Sequence, residues 1–244
     1  MIPLPTPQKF LSRLESIEKI SSKVYLERFE LIEPKEISFS SGQTVMLYVA
    51  PACAGRPAAN RAMSIASPPS EKTSITLIHD VSPMGPYSRW ALSAKIGDPM
   101  EFMGPLGAFI LDRGSDRKKV FVATGTGIAP FHSMIFNEPF SDPCVLYWGL
   151  RHEEDIFWQK ELEEFCSSHP NFQFVLTLSK PTALWQESAS RRKGHVGDYL
   201  FTDIKDLPGT DFYLCGNKTM IGDMRAKLKV ANVPDIQVKF ELFY

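Results

Sequence analysis

Val120-Phe121-Val122-Ala123-Thr124-Gly125-Thr126-Gly127-Ile128-Ala129-Pro130 decides the fold of this chain. Val120 to Ala123 is an unbroken apolar run of the kind found in a central, fully covered strand. Gly125 and Gly127 follow it and allow a tight turn with close backbone approach to a ligand. A helix is expected to start near Ile128, and Pro130 suits its first turn. Backbone N–H groups at such a start can bind a pyrophosphate. The third glycine of G-x-G-x-x-G is absent, and an ordinary Gly-rich strand–helix turn would read the same way.

Outward from this turn the second half alternates strand and helix. Cys144–Trp148, Phe172–Leu176 and Phe212–Cys215 read as buried strands. Glu154–Phe165 and Lys218–Val230 read as helices between and after them. That order predicts a parallel sheet with helices on both faces. The first half reads differently. Val24–Leu31, Thr44–Val49 and Ser74–His79 are short strands separated by turn signals such as Ser41-Gly42 and Gly97-Asp98-Pro99. They predict an antiparallel β-barrel with one helix from about Tyr87 to Ser93. The polar run Asp112–Lys119 marks the junction, giving domains of 1–113 and 114–244.

Arg61-Ala62-Met63-Ser64-Ile65-Ala66-Ser67 is the counterpart motif of the first half. It reads as a strand that places an arginine fork, suited to phosphate, beside small hydroxyl side chains. A polar solvent-facing strand is the plain alternative. Met84-Gly85-Pro86-Tyr87-Ser88 precedes the expected helix, so Gly85 and Ser88 can meet a phosphate at its N-terminus.

Composition bounds the rest. The 244 residues carry 43% hydrophobic and 23% charged residues and a formal net charge of −1. No global field favours nucleic acid or an anionic membrane. No apolar run is long enough to span a bilayer, and the first ten residues carry three prolines and no apolar stretch. A cytoplasmic location is expected. The four cysteines and five histidines show no metal-ligand or iron–sulfur spacing, so no metal site is expected.

Taken in order, RAMSIAS (61–67), GPYS (85–88), GPLG (104–107), TGTGIAP (124–130), GLR (149–151), CGNKTM (215–220) and ELFY (241–244) resemble the ferredoxin–NADP reductase-like family of flavoenzymes. The resemblance implies a flavin-binding barrel followed by a nicotinamide-nucleotide α/β domain. It implies FAD on Arg61, Ala62, Met63, Ser64, Ser67, Met84, Gly85 and Ser88, with Arg61 on the pyrophosphate and Ser64 near the flavin N5. Met63 stands where the family usually has tyrosine. The nicotinamide nucleotide falls to Thr124–Pro130, that is Thr124, Gly125, Thr126, Gly127, Ile128, Ala129 and Pro130, with Arg151, Ser179, Lys180, Cys215 and Gly216.

Ser64, Cys215 and Glu241 are expected to flank the reacting rings, with Phe243 and Tyr244 covering the flavin face. The plain alternative for the last two puts their rings in the core under a final strand. Lys180 and Arg191–Lys193 favour NADP over NAD, while Trp185 and Gly194-His195-Val196 also match NADH-using relatives. The implied activity is hydride transfer from NAD(P)H to FAD and onward electron transfer to a ferredoxin, a flavodoxin or an oxygenase component. A flavin-holding subunit with no activity of its own remains the non-enzymatic reading.

Overall fold

The computed structural model describes residues 5–49, 59–82, 84–137 and 143–243. The chain divides into two compact units, Met1–Leu111 with Ala129–Asn137, and Asp112–Ile128 with Glu138–Tyr244.

The first unit holds β1 (Gln8–Lys19), β2 (Val24–Glu33), β3 (Thr44–Val49), β4 (Ala59–Ser64), β5 (Ser74–Asp80), helix α1 (Pro86–Ser93) and β6 (Pro99–Leu106). The strands form one antiparallel sheet in the order β4-β3-β6-β1-β2-β5. The sheet curls until its ends meet. Ala66 N–H donates to Thr76 O at 2.8 Å, and Ser67 Oγ accepts from Thr76 N–H at 3.0 Å. These two bonds tie the segment after β4 to β5. Alternating inward residues fill the barrel, among them Phe10, Leu14, Phe29, Val45, Leu47, Met63, Ile75, Leu77 and Phe102. Removing such side chains from water is the main stabilising term of a unit this size.

The second unit opens with β7 (Lys118–Thr124) and a 3-10 turn, Gly125–Ile128. Helix α2 (Ala129–Ile135) follows directly in sequence but groups with the first unit. Then come β8 (Cys144–Leu150), α3 (Gln159–Ser168), β9 (Phe172–Leu178), the short β10 (Arg191–Lys193), α4 (Val196–Asp203), β11 (Thr210–Asn217), α5 (Lys218–Val230) and β12 (Val238–Phe243). All six strands are parallel, ordered β10-β9-β8-β7-β11-β12. One face of the sheet, with Val120, Val122, Val145, Tyr147 and Val175, packs against Val196 and Leu200 of α4 and Ile221, Met224 and Leu228 of α5. On the other face Phe172 meets Phe165 of α3, ring centroids 5.2 Å apart. Among the described residues no helix is long and apolar enough to cross a membrane.

The helix before β9 differs from the sequence expectation. Glu153–Asp155 is a separate 3-10 turn, and α3 starts only at Gln159. Trp158 holds a left-handed conformation, φ 55°, which interrupts any helix running from Glu154.

Candidate functional site

In the second unit the chain moves from β7 outward through β8 and β9 to β10, then returns to the other side of β7 with β11. The order therefore reverses between β7 and β11. Open parallel sheets bind ligands at such a point, beyond the carboxyl ends of the strands. Both glycine segments singled out in the sequence lie there.

Gly125 adopts φ 56° with nothing within 4 Å of where a Cβ would stand. Gly127 is closed in. A Cβ on it would come 2.5 Å from Cys215 O and 2.8 Å from Gly216 Cα. Gly216 has φ 130°, and a Cβ there would press on Thr124. Three glycines thus let two backbone segments touch and leave a bare peptide cradle at the strand ends. Two side chains pin it. Trp148 Nε1 donates to Gly125 O at 3.0 Å, and Asn217 N–H donates to Thr124 Oγ1 at 2.9 Å. Thr126 is half-buried, and Ile128, Ala129 and Pro130 are buried. The cradle suits a pyrophosphate.

Cys215 is fully buried at the end of β11. Its register partner on β12 is Glu241. Burial pushes the Cys215 thiol well above the ordinary range, and the Glu241 carboxylate pushes the same way. The group is therefore a neutral thiol, small and polarisable, rather than a nucleophilic thiolate. Phe243, the register partner of Asn217, is half-buried, and Phe240 is exposed. Tyr244 lies outside the described residues.

The ends of β8 and β9 form a second patch. Ser179 N–H donates to Leu150 O at 3.0 Å and Lys180 N–H to Arg151 O at 2.9 Å. These bonds bring Arg151, Ser179 and Lys180 together, with Arg151 and Lys180 exposed. Arg191 lies 4.2 Å over the Trp185 ring. Trp185 Nε1 and Arg191 Nε are buried donors without a partner, which suits a ligand rich in acceptor oxygens. Arg192 is committed elsewhere, to Asp203 at 2.7 Å and to Ala189 O.

In the first unit Arg61 and Ala62 are exposed on β4, whereas Ser64 and Ser67 are buried. Met63 is packed in the barrel core. Ser67 accepts the Thr76 N–H that closes the barrel. Met84 is 53% exposed. Gly85 caps α1 with extended backbone, no side chain fills the cap, and a Cβ there would meet nothing within 4 Å. The positive end of α1 is thus open beside Ser88. Beneath it, Tyr87 donates to Glu27 Oε2. Burial first, then the Glu27 charge, push the Tyr87 hydroxyl well upward, while the charge of Arg61 pulls it the other way. The Arg61 charge is therefore felt at the start of α1. An arginine, serine hydroxyls and an open helix start fit a flavin nucleotide's phosphates.

Glu27, His79 and Tyr87 carried no functional expectation from the sequence. Their link is visible only once β2 and β5 pair, with Tyr25 opposite His79 and Glu27 opposite Leu77. Among the described residues no cluster of His, Cys, Asp or Glu could hold a metal ion.

Residues 12–110 match the oxidoreductase FAD-binding domain family and residues 121–226 the oxidoreductase NAD-binding domain family. The chain is 30% identical over 227 residues to ferredoxin–NADP reductase B of Sorangium cellulosum, covering 89% of this chain and 90% of that protein. It is 33% identical over 155 residues to the toluate 1,2-dioxygenase electron transfer component of Pseudomonas putida, covering 62% of this chain and 44% of that protein. The crystal structure of the Amycolatopsis cytochrome P450 reductase GcoB shares the fold, with a TM-score of 0.86 at 24% identity over 100% of this chain and 72% of that one. With an antiparallel barrel followed by a parallel sheet that carries a glycine cradle at its switch point, the chain belongs to the ferredoxin–NADP reductase-like family of NAD(P)H-dependent flavin oxidoreductases, with FAD and a nicotinamide nucleotide as its cofactors.

Proposed function

We propose that this chain is a reductase that takes electrons from NADPH and delivers them to a ferredoxin- or flavodoxin-type protein. The observation that carries the reading is the bare cradle of Gly125, Gly127 and Gly216 ending beside the neutral Cys215 thiol. Residues 1–113 hold the flavin and residues 114–244 the nucleotide. The working place is the cytoplasm.

When bound, FAD supplies the chemistry by accepting hydride from the nicotinamide and releasing electrons to the acceptor. The chain binds and orients. Arg61, Ser88 and the start of α1 hold the flavin phosphates, with Gly85 leaving the room. Ser64 serves the flavin ring with its hydroxyl. The cradle holds the nucleotide pyrophosphate. Cys215 lies buried just behind the cradle, where burial and then Glu241 keep it uncharged next to the nicotinamide end. Arg151, Ser179 and Lys180, with Arg191 held against Trp185, receive the adenosine end and favour its 2′-phosphate. Exposed contacts of this kind are screened by water, so the preference for NADPH over NADH is only about tenfold, or about 1.4 kcal/mol.

A second reading makes the acceptor an oxygenase component. The Pseudomonas relative is named as an electron transfer component of a dioxygenase, which favours it. The test is steady-state oxidation of NADPH and NADH by the purified, FAD-loaded protein, first with ferricyanide and then with a ferredoxin. Turnover with both acceptors, about tenfold better with NADPH, supports the first reading. Turnover with ferricyanide alone turns the assignment to an oxygenase partner. Folded, FAD-loaded protein that oxidises neither nucleotide overturns both.

A further inference from the structure

Glu27 lies in the middle of β2 with no exposure at all. A carboxylate taken out of water needs partners for both oxygens. Here it has them. Oε1 lies 2.9 Å from His79 Nδ1, and Oε2 accepts from the Tyr87 hydroxyl. His79 Nε2 in turn lies 3.4 Å from Ser88 Oγ. His79, Tyr87 and Ser88 are only 4, 4 and 5% exposed.

The groups around the imidazole come from β2, its own strand β5 and helix α1. From β2 it meets Glu27 and, 6.3 Å away, the Tyr25 ring. From α1 it meets Ser88 and the edge of Tyr87, ring centroids 4.9 Å apart. On its own strand the next residue, Asp80, is paired with Lys23 at 3.6 Å. From β4 the charge of Arg61 acts on Tyr87. Within this set, the Glu27–His79 pair can take up one proton without breaking a contact.

Two states of the ring satisfy Glu27. In the neutral state Nδ1–H donates to the carboxylate, Nε2 is a bare acceptor, and the Ser88 O–H must donate to it. Ser88 then shows the open start of α1 only its lone pairs. In the imidazolium both ring N–H groups donate, one to Glu27 and one to Ser88 Oγ. The Ser88 O–H is then released. A phosphate oxygen offers only lone pairs, so the imidazolium state alone matches it.

We propose that His79 is a positioning residue whose protonation turns the Ser88 hydroxyl outward to a flavin phosphate, so that FAD binding takes up a proton. The proton comes from solvent and resides on Nε2, and no covalent bond of the flavin changes. The inference rests on the assignment of Ser88 to that phosphate.

Calorimetric titration of FAD into the apoprotein tests it, at each pH in two buffers of different ionisation heat, from about pH 5 to about pH 9. Wild type should take up as much as one proton per FAD. Its Kd should weaken by as much as about tenfold per pH unit on the alkaline side, the limit for one linked proton. Riboflavin, which has no phosphate, should take up none. Ser88→Ala should bind FAD about tenfold more weakly, as expected for a lost hydrogen bond to a charged group, and lose the uptake. His79→Gln should bind weakly at every pH with no uptake. Ser88→Ala that binds FAD as tightly as wild type removes Ser88 from the phosphate site and the proposal with it. Ser88→Ala that binds weakly yet keeps the uptake, or wild type with none, overturns the role of His79 while leaving the flavin site in place. Those outcomes need only wild type and Ser88→Ala, so they decide even where His79→Gln fails to fold.

Discussion

Cys215 and Glu241 face each other in register across the parallel pair β11–β12, and the carboxylate adds to burial in holding the thiol uncharged. This pairing places a charge one strand away from the residue assigned to the nicotinamide. Glu241→Gln keeps the shape and removes the charge. The expected result is flavin reduction slowed about tenfold, or about 1.4 kcal/mol in the barrier, with the NADPH KM changed less than about twofold. A raised KM with an unchanged rate would instead make Glu241 a plain binding residue.

The same chemistry makes the fold sensitive to alkali. Burial raises the Cys144 and Cys215 thiols above their ordinary value of 9.0 and the Tyr87 hydroxyl above 10.0. For each group the folded state favours the protonated form. That stabilisation is complete below the ordinary value and is lost as pH rises toward the folded one. Melting temperature should therefore be level near neutrality and fall above about pH 9. Cys215→Ala should make the fall shallower. A wild-type melting temperature that stays level through about pH 10.5 contradicts the burial of these groups.

Gly127→Ala tests the cradle. The new Cβ would meet the Cys215 carbonyl and Gly216 Cα, all backbone, with no flexible side chain to give way. Overpacking of this kind costs about 1–3 kcal/mol. If it is relieved by opening the turn, nucleotide affinity should fall at least about tenfold, or about 1.4 kcal/mol, while FAD stays bound. Titration of NADP against the FAD-loaded variant measures this. Unchanged affinity would move the nucleotide away from Gly127.

Much of this is legible in the sequence. Lys218–Val230 and Thr44–Val49 are found with the residues read from the sequence, because strong helix formers and clean alternation each point one way. The antiparallel-then-parallel architecture was legible for the same reason. The strand β1 and the short β10 were not. β1 carries Ser12, Glu15 and Ser16 among its apolar residues, so its alternation is diluted. β10 has only three residues and owes its strand form to pairing with β9.

Within the site, glycine positions were the readable part, since a bare turn leaves a mark in sequence. The partnership of Glu27, His79 and Ser88 left none. It spans 61 positions of chain, from 27 to 88, and exists only through strand pairing and the seat of α1. Met63 shows the converse. Its place in a motif suggested a flavin contact, while alternation along β4 puts it in the barrel core opposite Val45.

The central claim is that this chain moves hydride from a nicotinamide to its flavin. Anaerobic stopped-flow mixing of the FAD-loaded protein with NADPH, and with NADPH deuterated at either face of C4, tests it most directly. The expected result is rapid loss of the oxidised-flavin absorbance, slowed by deuterium on one face and unaffected by deuterium on the other. Loss of that absorbance with no isotope effect from either face would show that the hydride step is not limiting and call for single-turnover analysis of label transfer to the flavin. Bound FAD that keeps its oxidised spectrum in the presence of excess NADPH and NADH would contradict the account.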